Sequence, residues 1–231
     1  QQDLIDFEND LAKYLGVNHV IGVADGTMAL LISLMAVGIG EGDEVIIPSH
    51  TFVASAAAVH HSGAKPILAD CQEDHLIDPN SISKLITSKT KAIMPVHLNG
   101  RVADMDTINQ IATDHNLIVI EDSCQALGAK YKGQFAGTFG LTGTFSFFPA
   151  KTLGCFGDGG AIVTNNDKVA EKIKMIRDHG RDPSDGKVKM FGFNSRLDNL
   201  QAAILGLKLK YYDEDVGRRR QIASLYHTHL N

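Results

Sequence analysis

The sequence predicts an α/β fold, a three-layer α/β/α sandwich with a mostly parallel sheet at its centre. Short runs rich in β-branched residues alternate with segments of helical periodicity, the pattern of doubly wound sheets. These runs are apolar throughout instead of alternating with polar residues, as expected for strands covered on both faces. With 231 residues, of which 44% are hydrophobic and 21% charged, the chain is long enough for one sizeable core.

The individual elements follow from the same patterns, taken in chain order. We predict strands at residues 19–24, 44–49, 65–70, 91–96, 117–122, 144–148 and 161–165. We predict helices at residues 27–37, about 52–62, 80–87 and 104–115, the last with Met105, Ile108 and Ile111 on one face. From Arg196 to His229 the pattern is helical without strands. We therefore divide the chain into a large domain at 1–210 and a further helix at 211–231.

Charge and cysteine content restrict the classes of partner. The 27 acidic and 22 basic residues give a net charge of -5, which argues against nucleic acid or an anionic membrane surface as a partner. The apolar runs are too short to span a membrane and the first residues do not resemble a signal peptide, so we expect a cytoplasmic protein that acts on small molecules. Cys71, Cys124 and Cys155 form no C-x-x-C pair, which indicates reduced thiols and no metal site.

Ligands of open α/β sheets bind beyond the carboxyl ends of the strands. The residues that follow the first two predicted strands include a candidate anion-binding turn and an aromatic ring. Gly26 and Thr27 open a helix after the first strand, where backbone N–H groups can hold a phosphate. Asp25 or Thr27 can instead simply cap that helix. Phe52 follows the second strand, although most aromatic residues at such positions belong to the core.

Two later strand ends carry an acid and an amine. Glu121 and Asp122 close the strand at 117–122, and their carboxylates are candidates for a helix cap or for a metal ligand, although no companion cluster with metal-ligand spacing follows. Lys151 follows the aromatic strand at 144–148 and precedes a glycine-rich turn. Lysine is seldom buried without a functional or structural reason.

An anion site, a flat aromatic ring, a carboxylate and an amine together match one cofactor, pyridoxal 5'-phosphate (PLP). Its phosphate needs an anion site, its ring can stack on an aromatic side chain, its ring nitrogen pairs with a carboxylate, and its aldehyde condenses with lysine. The glycines do not form a dinucleotide-binding or Walker A motif, because "GVADGT" and "GCFGDGG" lack the required spacing.

At these residues the sequence resembles the DegT/DnrJ/StrS family of PLP-dependent sugar aminotransferases, of fold type I. The resemblance runs from about Phe7 to the C-terminus through motifs in family order. They include "GDEVIIPSHTFVAS", "VIEDSCQALGA", "TFSFFPAKTLGCFGDGGAIVTN" and "NSRLDNLQAAIL". The family resemblance implies the PLP-binding large domain of such an enzyme, followed at 211–231 by a helix that leads towards a small C-terminal domain absent from this chain.

The resemblance implies catalytic and ring-binding roles at four positions. Lys151 matches the Schiff-base lysine that carries PLP covalently, and Asp122 matches the partner of the pyridine nitrogen. Gln125 matches the residue that bonds the phenolic oxygen of the cofactor, and Phe52 the aromatic residue that stacks on its ring.

The resemblance also implies phosphate contacts. Gly26, Thr27, Met28 and Ser146 match phosphate-binding positions, the first three partly through their backbone. Asn194 matches an asparagine that reaches the phosphate of the other subunit, which implies a homodimer. Met28 can also be a core side chain, and Asn194 can also be a plain helix cap.

By resemblance, the expected reaction moves an amino group from glutamate to a nucleotide-linked keto sugar. The family also aminates cyclitols and makes aminohydroxybenzoate, and a PLP-binding regulator without turnover is a further alternative. Asn99 stands where the family commonly has an aromatic residue. His50, His97 and His179 lie near motif loops, and we interpret them as structural histidines.

Overall fold

The computed structural model describes residues 2–230 and places a seven-stranded sheet between two layers of helices. The helices are α1 (Gln2–Leu15), α2 (Gly26–Ala36), α3 (Val53–His61), α4 (Pro79–Leu85), α5 (Met105–Asp114), α6 (Asp167–Arg177), α7 (Asn199–Leu209) and α8 (Tyr212–His229). The strands are β1 (His19–Val23), β2 (Glu44–Pro48), β3 (Lys65–Ala69), β4 (Thr90–Ile93), β5 (Ile118–Asp122), β6 (Lys130–Tyr131), β7 (Gln134–Phe135), β8 (Thr142–Ser146) and β9 (Gly160–Thr164).

The central sheet has the strand order β1-β9-β8-β5-β4-β2-β3. β9 runs antiparallel to both of its neighbours, and the pairs β8/β5, β5/β4, β4/β2 and β2/β3 are parallel. The six other strands of this sheet therefore point the same way, and their carboxyl ends meet at one edge. β6 and β7 form a separate hairpin. The mostly parallel sheet is thus confirmed.

Alternation along each strand builds the three layers. Val45 and Ile47 of β2 pack in a core shared with α2 and α3, whereas Ile46 between them packs in a core shared with α4 and α5. On β9, Ile162 likewise faces α2 and α6, while Ala161 faces the side of α1 and α7. Because both faces are covered, Val45, Ile46 and Ile47 are all fully buried.

Two strand predictions differ from the structure by two or more residues at one end or both, and the other five differ by no more than one residue at either end. The strand expected at 144–148 is β8 at Thr142–Ser146, because pairing with Gly160–Val163 of β9 decides its register, and Phe147 and Phe148 lie beyond it. The strand expected at 91–96 ends at Ile93, and only Val96 makes a further parallel bridge, to Asp122.

The helical stretch from Arg196 to His229 consists of two helices with a break between Leu209 and Tyr212. Tyr212, the first residue of α8, is 1% exposed, and its hydroxyl donates to the Leu127 carbonyl at 2.8 Å and lies 2.7 Å from Thr152 Oγ1. The start of α8 is therefore held by the core, close to the glycine-rich turn. Within residues 2–230 no helix has both the length and the hydrophobicity needed to cross a membrane.

Candidate functional site

A cavity of about 640 Å³ opens where the carboxyl ends of β1, β2, β5 and β8 meet the first turns of α2 and α3. Its volume lies in the range of small-molecule sites. Seven of the residues expected at the site line this cavity: Gly26, Thr27, Phe52, Asp122, Gln125, Ser146 and Lys151. The fold thus brings together side chains that are more than 120 positions apart in the sequence.

The first turn of α2 offers backbone donors to the cavity. Asp25 caps the helix, because its Oδ1 accepts from the Met28 amide at 2.8 Å. The amides of Gly26 and Thr27 have no acceptor among the hydrogen bonds of residues 2–230. Two open N–H groups at a helix N-terminus favour an anion at this wall of the cavity.

The end of β8 packs directly against this turn. A Cβ atom on Gly26 would lie 2.8 Å from the Ser146 Cβ and 3.0 Å from the Cys124 Sγ, so only glycine fits there. This close approach sets the Ser146 hydroxyl beside the open amides of α2. A hydroxyl and two amides in one corner form a donor set suited to a phosphate.

The two acids at the end of β5 have different places. Glu121 is fully buried and accepts hydrogen bonds from the amides of Gly137, Phe139 and Gly140 at 2.6–2.7 Å. His97 Nε2 lies 2.9 Å from the same carboxylate. Glu121 therefore holds a loop on the far side of the strand and is structural.

Asp122 lines the cavity and is held by two donors. Ser55 Oγ donates to its Oδ2 at 2.8 Å, and the Cys124 amide donates to its Oδ1 at 3.2 Å. Asp122 as a whole residue is 6% exposed. Since each oxygen has one of these donors and can accept a second, the group can still take a donor from the cavity.

Lys151 lies in the turn that follows β8. Its amide donates to the Phe148 carbonyl at 2.8 Å, which fixes the backbone of the turn. The side chain is partly buried, and it takes part in none of the ion pairs found in residues 2–230. Burial raises the pKa of the neighbouring Cys124 thiol well above its usual value, and the charge of Asp122 raises it further. The thiol is therefore neutral, and Lys151 supplies the amine of the cavity.

Phe52 and Gln125 complete the walls. Phe52 is 66% exposed at the mouth of the cavity, so the interpretation of this ring as a core residue is wrong. The Gln125 Oε1 accepts from the Asn99 amide at 2.9 Å, which leaves the side-chain NH₂ group as a donor. Asn99 itself lies on the cavity wall.

Met28 and Asn194 do not line this cavity. The Met28 side chain packs between the core clusters of α2, α3 and α6, as the alternative interpretation proposed. Asn194 is exposed and forms a backbone bridge with Asp178. It does not cap α7, whose N-cap is Asp198, so the helix-cap alternative is wrong.

Several cavity residues were not singled out from the sequence. Thr51 and Cys124 lie on the wall, and Ser55 lies directly behind Asp122. Their only sequence signal is position, since each stands within three residues of Phe52 or Asp122. His97 is fully buried between Glu121 and the Ala103 amide, consistent with a structural histidine. In the described part of the chain no cluster of three or more His, Cys, Asp or Glu side chains is arranged to hold a metal ion.

Known proteins resemble this chain along nearly its whole length. It is 47% identical over 220 residues to a "Pleiotropic regulatory protein" of Geobacillus stearothermophilus, with 95% of this chain and 59% of the relative covered. It is 45% identical over 226 residues to the dTDP-3-amino-3,4,6-trideoxy-alpha-D-glucose transaminase of Streptomyces venezuelae, with 97% and 59% covered. The chain thus spans about three-fifths of the length of these curated relatives.

The fold is also found in solved structures. The crystal structure of S. venezuelae DesV in complex with a ketimine intermediate superimposes with a TM-score of 0.95 at 44% identity, covering 98% of this chain and 61% of that one. The model of the DegT/DnrJ/EryC1/StrS aminotransferase family matches residues 2–231. Because the family model covers nearly the whole chain and these two curated relatives are 45% identical or more, the chain belongs to the DegT/DnrJ/EryC1/StrS aminotransferase family.

Proposed function

We propose that the protein to which this chain belongs is a PLP-dependent aminotransferase that transfers an amino group from glutamate to a nucleotide-linked keto sugar. The observation that carries the proposal is the meeting of the Lys151 amine, the Asp122 carboxylate and the open amides of α2 in one cavity. Each of these groups has a different task in the chemistry of this cofactor.

The residues present fit the cofactor. The amides of Gly26 and Thr27 and the hydroxyls of Thr27 and Ser146 would hold its phosphate. Asp122 would accept a hydrogen bond from its ring nitrogen, and the Gln125 amide would donate to its phenolic oxygen. Phe52 would stack on its ring, and Lys151 would hold it covalently. We propose that residues 1–210, which include all of these residues, form the cofactor-binding domain.

When bound, the cofactor supplies an aldehyde that takes up amino groups and a ring that accepts an electron pair. Lys151 would first hold the cofactor, and its freed amine would then move a proton away from the α-carbon of the amino donor. Asp122 would keep a proton on the ring nitrogen, because a negative charge there favours the protonated ring. Gly26 and the other small residues of the walls leave room for the cofactor to approach the backbone.

The transaminase relative supports the substrate class. Its name describes a dTDP-linked amino sugar, and it shares 45% of its matched residues with this chain. This chain matches only 59% of the length of that relative. We propose that the remaining part corresponds to a small C-terminal domain of the full protein and provides further substrate contacts.

A regulatory role is the second candidate, because the Geobacillus relative is named a regulatory protein. Such a protein would bind the cofactor without turnover. The two candidates differ in one measurement, the conversion of glutamate to 2-oxoglutarate by the full-length protein in the presence of a nucleotide-linked keto sugar.

We also propose that the protein is a homodimer. Asn194 is exposed and lies outside the cavity of its own chain, as expected of a residue that serves the neighbouring site. An exposed apolar face on α7 gives further support. Leu200 and Leu207, two helical turns apart, are 70% and 60% exposed, and Phe156, whose amide bonds Gln201 of the same helix, is 75% exposed.

Reductive labelling tests the assignment of Lys151. Borohydride should fix the cofactor on the peptide that contains Lys151, and Lys151→Ala should lose the label while it still binds the cofactor non-covalently. Lys132→Ala, which removes an exposed lysine paired with Asp106, should label like the unmodified protein. A label on another lysine, found by peptide mapping, would contradict the proposal.

A further inference from the structure

Two hydroxyl groups, those of Thr51 and Ser55, form a hydrogen-bonded chain that ends at the Asp122 carboxylate. The Ser55 hydroxyl lies 2.8 Å from Asp122 Oδ2, and the Thr51 hydroxyl lies 2.8 Å from Ser55 Oγ. Ser55 is fully buried on the inner face of α3, and Thr51 lines the cavity. Thr51 and Ser55 are four positions apart, whereas 67 positions separate Ser55 from Asp122.

The direction of these hydrogen bonds follows from the number of protons. An ionised carboxylate only accepts, so the single Ser55 proton points at Asp122. Ser55 must then accept at its own oxygen, and the Thr51 hydroxyl is the group that donates to it. The chain therefore runs Thr51 to Ser55 to Asp122, and each donor polarises the next bond.

We propose that Ser55 is a positioning residue of the cofactor site, and that Thr51 supports it. Ser55 stabilises the negative charge of Asp122 and fixes the orientation of the carboxylate, so that its free lone pairs face the cavity. The inference rests on the proposed PLP-dependent function, in which Asp122 keeps the ring nitrogen protonated. Without the Ser55 donor, the carboxylate loses one of its two protein partners and its fixed rotamer.

The chain offers matched controls for the substitution of a buried serine. Ser123, next to Asp122, and Ser33 on α2 are both fully buried, and the hydroxyls of both have no hydrogen-bond partner within residues 2–230. Ser123→Ala and Ser33→Ala thus remove the same atom as Ser55→Ala but leave Asp122 untouched. Thr51→Ser keeps the hydroxyl, whereas Thr51→Val removes it and preserves the side-chain shape.

The first experiment measures the protonation of the ring directly. Full-length protein is loaded with PLP labelled with ¹⁵N in the ring, and the ¹⁵N chemical shift is recorded. In Ser55→Ala the shift should move towards that of a neutral pyridine, and in Thr51→Val it should move less in the same direction. Ser123→Ala, Ser33→Ala and Thr51→Ser should match the unmodified protein. An unmoved shift in Ser55→Ala would overturn the proposal.

The second experiment is a double-mutant cycle on the reaction with the amino donor. Rapid mixing with L-glutamate should show Ser55→Ala slowed by about 10-fold, as expected for a hydrogen bond to a charged group. In an Asp122→Asn background, Ser55→Ala should add little, because its effect passes through that carboxylate. A fully additive loss would show that Ser55 acts elsewhere and would overturn the proposal.

The two experiments separate this proposal from the proposed function. If the unmodified protein binds PLP but does not react with glutamate, the aminotransferase assignment fails, while the ¹⁵N shift still decides the role of Ser55. If the unmodified protein does not bind PLP at all, both proposals are wrong. If it binds and reacts normally and Ser55→Ala behaves like Ser123→Ala, only the positioning role is wrong.

Discussion

Two neighbouring acids at the end of β5 illustrate how a single residue step separates structure from chemistry. Successive side chains of a strand point to opposite sides. Glu121 therefore faces the loop at Gly137–Gly140 and the imidazole of His97, while Asp122 faces the cavity. The residue pattern by itself shows two adjacent acids, the family resemblance singles out Asp122, and the sheet supplies the physical reason for the difference.

Substitution of Glu121 should affect stability. Glu121→Gln replaces an acceptor of four hydrogen bonds with an amide whose NH₂ group faces donors, which should cost about 3 kcal/mol of unfolding free energy. Urea denaturation measures the change. Glu44→Gln, at a partly exposed carboxylate that accepts from Thr87, should cost less than about 1 kcal/mol. Equal losses in the two variants would contradict the structural role of Glu121.

At the scale of elements, the sequence patterns were informative where a segment is buried on both sides. Strands β1, β2 and β5 begin and end within one residue of the predicted bounds, because their apolar runs coincide with burial, and the partly exposed edge strand β3 does so as well. Helices α1 and α6 were not predicted, although their buried apolar residues recur at helical spacing, as Leu4, Phe7 and Leu11 do in α1. The two-residue strands of the hairpin β6/β7 are too short to carry a pattern. The contact between Ser55 and Asp122 depends on how α3 packs against β5, and the local sequence does not indicate that packing.

The first turn of α8 offers a test of how an element supports the site. Tyr212→Phe removes the hydroxyl that bonds Leu127 and Thr152, next to Lys151, and should lower the unfolding free energy by about 1–2 kcal/mol. Tyr226→Phe changes an exposed phenol on the same helix and should have almost no effect. Equal stability of both variants would contradict the anchoring role of Tyr212.

The contribution of Tyr212 should also depend on pH. Burial raises the pKa of its phenol above the ordinary value, so folding favours the neutral form. This stabilisation is complete below about pH 10, where the unfolded chain ionises, and is lost as pH rises through the folded value. Urea midpoints at about pH 9 and about pH 11 should therefore show a smaller difference between the unmodified protein and Tyr212→Phe at the higher pH.

At the scale of the whole molecule, the apolar face of α7 bears on assembly. If Leu200 and Leu207 lie between two copies, Leu200→Asp with Leu207→Asp should convert the dimer into monomers, because burying two charges in an apolar contact is costly. Sedimentation of the full-length protein measures the state. Leu68→Asp, at an exposed leucine on the edge strand β3, should leave the dimer intact. A stable monomer in the unmodified protein would remove the proposed role of Asn194.

The cavity also couples ligand binding to the equilibrium between folded and unfolded chain. Its walls come from segments between Asp25 and Asp158, which meet only when β1, β2, β5 and β8 are in register. A molecule that binds there meets no such surface in the unfolded chain, so its binding free energy adds to the stability of the native state. The melting temperature should rise with cofactor concentration, and in a cell short of cofactor a larger fraction of the chain should be exposed to proteolysis.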